Sequence, residues 1–300
     1  MPGRRRYRLR LPSHALALGK RTLLMGVLNV TPDSFSDGGL FLETGRAVEH
    51  ALELARAGTD ILDIGGESTR PGSRPTPPDE ELARVLPVIE KLRNRLKIPL
   101  SIDTRRARVA EMAARAGAEI LNDVSALGSD PEMGEVVHRH RLAVVLMHMR
   151  GTPRTMQQRG FARDVMKDVR EGLQRAIRRA TEAGIDRRRI LVDPGIGFGK
   201  SFRQNFELLA RLDEIARLGF PVVVGPSRKA FIGHALGGMA AGDRVWGTAA
   251  AVTAAVLGGA HVVRVHDVAE MAQVARVADA MVEAGGRIGF RRKSARGSNA

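Results

Sequence analysis

Short apolar runs recur along this chain, and each stops on a polar residue. Leu23 to Leu28 ends at Asn29, Ile61 to Ile64 runs into Gly65-Gly66-Glu67-Ser68-Thr69-Arg70-Pro71-Gly72-Ser73, and Leu100-Ser101-Ile102 closes on Asp103. Ile120-Leu121 meets Asn122 and Asp123, Ala143 to Met147 exits into His148 and Arg150, and Ile190 to Val192 closes on Asp193. Pro221 to Gly225 leads to Pro226-Ser227-Arg228-Lys229, and Val262 to Val265 interleaves Arg264 before His266. Runs this short and apolar read as parallel strands covered on both faces.

Between them, apolar residues recur at helical spacing. The pattern predicts helices from Thr44, a possible cap, to Gly58, then over Asp79 to about Arg95 and Arg106 to Ala116. A short one near Pro131 to His138 follows, then Asp164 to Ala183, Asn205 to Leu218, Val245 to Leu257 and Val268 to Ala284. Strands alternating with helices call for a parallel sheet with right-handed crossovers. Eight such units without a composition shift predict an α/β protein, a single-domain (β/α)8 TIM barrel, rather than an open doubly wound sheet. In a barrel the C-terminal strand ends share one rim, so the polar stops converge there.

Composition changes this picture little. The chain has 300 residues, 43% of them hydrophobic, and no cysteine, which removes disulfides and thiolate catalysis. No apolar run approaches a membrane span and no signal-peptide core follows the basic start, so a cytoplasmic protein without membrane contact is expected. The net charge of +15 raises the question of nucleic acid. Much of it sits at the ends, on Arg4, Arg5, Arg6, Arg8 and Arg10 and on Arg291, Arg292, Lys293 and Arg296, with a further cluster at Arg187 to Arg189. One Trp and one Tyr offer little for base stacking, so the ends are expected to be solvated tails and nucleic acid is not expected as a partner. The expected division is a basic extension over 1–22, the barrel over 23–285 and a basic disordered tail over 286–300. Deleting residues 1–10 and 291–300 is expected to leave activity intact.

The rim residues suggest chemistry. Asn29 offers a neutral oxygen suited to a Mg²⁺–phosphate complex, although a cap or turn is the commoner use of such a residue. Asp33 and Asp37 lie in a Ser- and Gly-rich loop and read as turn formers. Ser68, Thr69 and Arg70 are donors for an oxyanion or carboxylate. Asp103, Asn122 and Asp193 end three strands and suit a flat, nitrogen-rich heterocycle, a guanine-like edge being held by a carboxylate on two N–H groups. Lys229 follows the seventh strand, and Arg264 and His266 share a face of the eighth, a cationic set for an anion. His148 reads better as a structural histidine. DPGIGFGK resembles a phosphate loop by glycine content alone.

Taken together, LLMGVLNVTPDSFSDGG, DILDIGGESTRPGS, SIDT, LNDVSAL, LMHMRGTPRTMQ, LVDPGIGFGK, VGPSRKAFIG and RVHDV resemble the dihydropteroate synthase family over about Leu23 to Met281. The resemblance implies a barrel transferase of folate biosynthesis. It would join 6-hydroxymethyl-7,8-dihydropterin diphosphate to 4-aminobenzoate, releasing diphosphate and 7,8-dihydropteroate. It implies Asn29 as ligand of a Mg²⁺ cofactor, and Asp103, Asn122, Asp193 and Lys229 around the pterin with Met147 packed on its ring. It further implies Thr69, Arg264 and His266 at the diphosphate, Val265 beside them, and Arg70, Phe198 and Ser227 at the aminobenzoate, where sulfonamides compete. Asp103, Lys229, Arg264 and His266 would carry the catalytic roles. A homodimer through the late helices is implied as well. Related pterin-binding methyltransferase barrels are a rival that lacks the GGESTRPG and RVH stretches, and a non-catalytic pterin-binding paralogue is another.

Overall fold

A computed structural model describes residues 4–31, 40–67, 76–152, 155–156 and 160–285. Its sheet has eight parallel strands: β3 (Leu23–Asn29), β4 (Ile61–Gly65), β5 (Leu100–Asp103), β6 (Ile120–Asp123), β7 (Ala143–Met147), β8 (Ile190–Asp193), β9 (Val223–Val224) and β10 (Val262–Val265). They follow one another around the sheet, and β10 pairs with β3. The remaining seam, between β8 and β9, is joined by a parallel bridge at Val192 and Val222. The predicted (β/α)8 barrel is the fold.

Around it run α1 (Leu40–Arg56), α2 (Pro78–Leu92), α3 (Ala107–Ala116), α4 (Met133–Arg139), α5 (Val165–Glu182), α6 (Phe202–Ala210), α7 (Leu212–Ala216), α8 (Ala230–Ala235), α9 (Val245–Leu257) and α10 (Val268–Glu283). Asp164 caps α5 by accepting from the Lys167 amide, and Ser201 opens α6 with a reciprocal capping box to Gln204. Some boundaries differ from the sequence pattern. Helix α1 begins at Leu40, ahead of Thr44, and the expected Asn205–Leu218 helix is broken into α6 and α7 at Arg211.

Strand alternation sorts the barrel into two apolar layers. Leu24, Leu28, Leu62, Ile64, Leu121, Val144 and Val263 face the helices in the large outer core. Leu23, Met25, Ile61, Ile120, Ala143, Val145, Leu191, Val223 and Val262 fill the interior, and Leu9, Leu11 and Leu18 join them. Those last three come from an antiparallel hairpin, β1 (Tyr7–Arg10) and β2 (Ala15–Leu18), so the N-terminal arginines are not a solvated tail. The hairpin closes the end of the barrel at which the strands begin. Arg4 is buried against Asp279 of α10, and the His261 ring bonds the Arg5 carbonyl. Deleting residues 1–10 would remove β1 and uncover the inner layer, which corrects the expectation drawn from charge alone. The expected tail over 286–300 lies outside the described residues.

Candidate active site

The same alternation that puts Met25, Ile61 and Ile120 inside the barrel puts residues two and four positions later inside as well, nearer the C-terminal rim. Asn29, Asp63, Asp103, Asn122, Met147, Asp193, Arg264 and His266 therefore all belong to the interior parity. The register aligns them laterally: Asn29 sits opposite Gly65, Gly65 opposite Asp103, Asp103 opposite Asn122, and Met147 opposite Asp193. Gly65 contributes no side chain between Asn29 and Asp103, which leaves a gap on the rim between an amide and a carboxylate. Val265 has the opposite parity and is packed in the outer core, so its side chain is not brought to the site. This corrects its inclusion among the substrate contacts.

The centre of the site is ionic. The Arg264 guanidinium donates from Nε to Asp63 Oδ2 at 2.6 Å and from Nη2 to Asp103 Oδ2 at 2.8 Å. Asn122 Nδ2 donates to the same Asp63 oxygen at 2.9 Å. Asp63 is fully buried, and its Oδ1 has no hydrogen-bond partner among the described residues. It thus orients Arg264 and Asn122 at once. The sequence reading passed over it, because an aspartate inside Ile61-Leu62-Asp63-Ile64 does not end its strand. The available signal was the charge itself, within an otherwise apolar run.

Burial and neighbouring charge shift the ionisable groups in opposing directions. Burial raises the Asp103 carboxyl well above its ordinary range, with the Asp63 carboxylate adding to the rise and Arg264 opposing it. Burial pushes Asp193 up to about 6, opposed by the Gly195 amide, which donates to its Oδ1 at 2.6 Å, and by Lys229. Burial and the nearby Arg264 bring Lys229 down to about 8, against the pull of Asp193 and Asp103. Lys229 Nζ lies 4.1 Å from the centre of the Phe198 ring, a cation–π contact. His266 is pushed down to about 3 by burial and Arg264, so its neutral ring can offer a hydrogen bond without adding charge. Its Nδ1 is 3.0 Å from Ser227 Oγ, which also accepts from the His266 amide.

Beside these groups, Met147, Val124, Met156 and Phe198 form a small apolar cluster. Polar edges and cations facing an apolar wall suit a flat polar ring. The loop 194–200 is built by Lys200, whose buried ammonium donates to the carbonyls of His148, Gly195 and Phe198 at 3.1, 2.9 and 2.9 Å. That lysine is occupied by the loop's own backbone, so the glycine-based likeness of DPGIGFGK to a phosphate loop is not supported. Gly195 has φ +68°, and a Cβ there would lie 1.9 Å from the His148 carbonyl oxygen, so only glycine fits. His148 is buried, its ring pushed down to about 3 mainly by desolvation, in keeping with a structural role. The Arg187–Arg189 turn lies at the opposite end of the barrel, where Arg188 pairs with Asp186 and Arg189 donates to the carbonyls of Arg10 and Arg141. Asp33, Asp37, Ser68, Thr69 and Arg70 lie outside the described residues.

Comparison with known proteins shows the family. The pterin binding enzyme family matches residues 25–266. A dihydropteroate synthase of Synechocystis sp. is 48% identical over 263 residues, covering 88% of this chain and 91% of its own length. One from Bacillus subtilis is 43% identical over 91% of this chain and 93% of its own. Xanthomonas albilineans dihydropteroate synthase, solved with 4-aminobenzoic acid, superposes with a TM-score of 0.86 at 45% identity, covering 92% of this chain and 98% of that one. The Clostridium difficile enzyme, solved in the presence of pteroic acid, gives a TM-score of 0.83 at 44% identity over 88% and 98%. The chain belongs to the pterin-binding enzyme family, among its dihydropteroate synthases.

Proposed function

We infer that this rim condenses 6-hydroxymethyl-7,8-dihydropterin diphosphate with 4-aminobenzoate, giving 7,8-dihydropteroate and diphosphate. The observation that carries the reading is the convergence of Asp103, Asn122, Asp193 and Lys229 from separate strand ends upon one interior, beside the wall of Met147 and Phe198. Two carboxylates and an amide match the N–H and carbonyl edges of a pterin, and the methionine packs on its face. The family match and the relatives solved with pteroic acid and 4-aminobenzoic acid support the same assignment.

The methylene–oxygen bond breaks, and its electron pair leaves with the diphosphate. Positive charge developing on the methylene spreads into the pterin ring, where Asp103 in its ionised form stabilises it. In this reading Arg264 and His266 serve the leaving diphosphate and Phe198 and Ser227 the aminobenzoate, the further roles of Thr69 and Arg70 resting on the family resemblance alone. The arylamine nitrogen then bonds the methylene carbon and sheds its surplus proton, a step that needs no base with a tuned pKa.

Asn29 fits a Mg²⁺ cofactor that arrives with the diphosphate. Its amide is a half-buried neutral oxygen donor facing the Gly65 gap, and Mg²⁺ commonly takes one or two protein oxygens with the rest from phosphates and water. When bound there, the ion supplies positive charge to the departing diphosphate. Cytoplasmic location accords with the finding that no helix among the described residues is long and apolar enough to cross a membrane. A homodimer is favoured by the exposed Trp246 of α9 and Val277 and Met281 of α10. The division into a barrel over 23–285 with short flanking segments belongs to the same reading.

Titration calorimetry with 6-hydroxymethylpterin tests the site. The protein should bind it, and Asn122→Ala and Asp193→Asn should each weaken binding at least about tenfold, by removing a hydrogen bond in a buried site. Undiminished binding by both variants would overturn the placement.

A further inference from the structure

The Arg187–Arg189 turn lies at the closed end of the barrel, remote from the rim. Beside it a surface cavity of about 460 Å³ is lined by Arg10, His138, Arg139, Arg141, Asp186 and Arg189, with Val137, Gly184 and Ile185. Three separate stretches of chain meet there: the end of β1, the turn between α4 and β7, and the turn that leads into β8. Arginine dominates the lining, and its charge is poorly balanced.

Asp186 is the carboxylate of this cavity, and Arg188 occupies it. Arg188 donates to it from Nε at 3.1 Å and from Nη2 at 2.9 Å, and this hydrogen bonding holds the Asp186 carboxyl below its usual range. Arg10 reaches the same carboxylate only at 3.4 Å. Arg139 is paired within its own helix by Glu135. Arg189 donates from Nη1 to the carbonyls of Arg10 and Arg141, which are neutral acceptors and leave its charge uncompensated. Its Nε and Nη2 have no partner among the described residues, and neither has the Arg141 side chain.

The three guanidiniums also act on one another. Burial draws Arg189 down from the usual arginine range, against the pull of Asp186, and the charges of Arg10 and Arg141 add to the fall. Solvated arginines normally spread apart. Here Arg189 is pinned by two backbone carbonyls, so its free donors are fixed before any ligand arrives, which lowers the cost of binding. Guanidinium forks match phosphate oxygens in pairs. No Phe, Tyr or Trp lines the cavity to stack a base, so the fit is to a compact anion carrying several charges.

We propose that this cavity binds an oligophosphate group, with Arg189 as its fixed anchor and Arg10 and Arg141 supplying the remaining charge. Bound there, the ligand ties the hairpin to the α4–β7 turn and to the entry of β8, and so stabilises the closed end. The site is independent of the reaction assigned to the rim.

Titration calorimetry of the full chain with inorganic triphosphate and with ATP tests it, at a constant ionic strength of about 0.15 M that screens diffuse attraction. The variants are Arg10→Gln, at an exposed position of β1, and Arg141→Gly, which suits the left-handed backbone at φ +52°. Arg46→Gln, exposed on α1 across the barrel, controls for net charge. The parent should bind triphosphate, and each cavity variant should weaken binding about tenfold, the scale of one lost hydrogen bond to a charged group. Arg46→Gln should stay within about twofold. Amide hydrogen exchange in the parent should slow over residues 137–142 and 184–190 when triphosphate is added. Equal affinity for ATP would mark the oligophosphate alone as the ligand, and tighter binding of ATP would mark a nucleotide's tail as its source. No binding by the parent would overturn the proposal, as would binding that neither cavity variant weakens, an equal loss in Arg46→Gln, or slowed exchange confined to other segments. A short single-stranded RNA that binds more tightly and is not displaced by triphosphate would overturn it too.

Discussion

The two ends of this barrel are built from opposite materials. At the end where the strands begin, Leu9, Leu11 and Leu18 of the hairpin seal an interior layer of aliphatic side chains with almost no exposure. At the other end the same interior parity carries Asp63, Asp103, Asn122, Asp193, Arg264 and His266, several of them with strongly shifted pKa. Burying apolar area stabilises at about 25 cal/mol per Å², whereas burying ionisable groups costs stability unless each is well paired. The closed end therefore supplies stability, and the open end gives some of it up to hold charges where a reaction needs them.

Substitutions should separate these two tasks. The largest effect belongs to Asp193→Asn, which keeps an acceptor for the Gly195 amide but removes the charge. It should lower kcat/KM by about 10²–10³-fold, the scale of losing one preorganised electrostatic group. Stability should move the other way. A carboxyl raised in the folded state from 3.8 to about 6 contributes stability that is complete below about pH 4 and lost as the pH rises through 6. At pH 7 Asp193→Asn should thus unfold at the same or a higher denaturant concentration than the parent. A marked fall in stability would break the contrast.

Leu9→Ala at the closed end should do the reverse. Leu9 is 1% exposed, and truncating a buried leucine typically costs about 2–5 kcal/mol. Urea unfolding should show that loss, while KM and kcat per folded molecule stay within about twofold. A large change in KM would mean that the hairpin reaches the chemistry after all.

The pH–rate profile should be bell-shaped. Activity should fall as the pH drops through about 6, where Asp193 gains its proton, and again above about 8, where Lys229 loses its own. Asp193→Asn should remove the contribution of that residue to the acid limb, and an unaltered limb in that variant would assign it elsewhere. The smallest effect is expected at the exposed pair of Arg217 and Asp213, whose side chains are 73% and 57% exposed. Arg217→Ala should change stability by less than about 0.5 kcal/mol, because solvent and salt screen such pairs.

How much of this could be read from residues alone follows the same division. Asn29, Asp103, Asn122 and Asp193 were legible because each interrupts an apolar run at its end, and barrel topology carries strand ends to one rim. Asp63 was not, since its importance comes from Arg264 and Asn122, which lie far away in sequence and meet it only in the closed sheet. The hairpin was legible in principle: Tyr7-Arg8-Leu9-Arg10 alternates with period two, and Leu9 points in while Arg8 and Arg10 point out. The density of arginine obscured that alternation. Val265 was drawn toward the site by its neighbours Arg264 and His266, although the parity that places those two inside must turn it outward.

The central claim is that the open end performs a condensation, with the charges acting in turnover and not only in binding. Its most direct test is diphosphate release from 6-hydroxymethyl-7,8-dihydropterin diphosphate, measured with and without 4-aminobenzoate and Mg²⁺. Release that requires both, matched mole for mole by dihydropteroate, is the predicted result. Binding of the pterin diphosphate with no dihydropteroate formed under any of these conditions would contradict it.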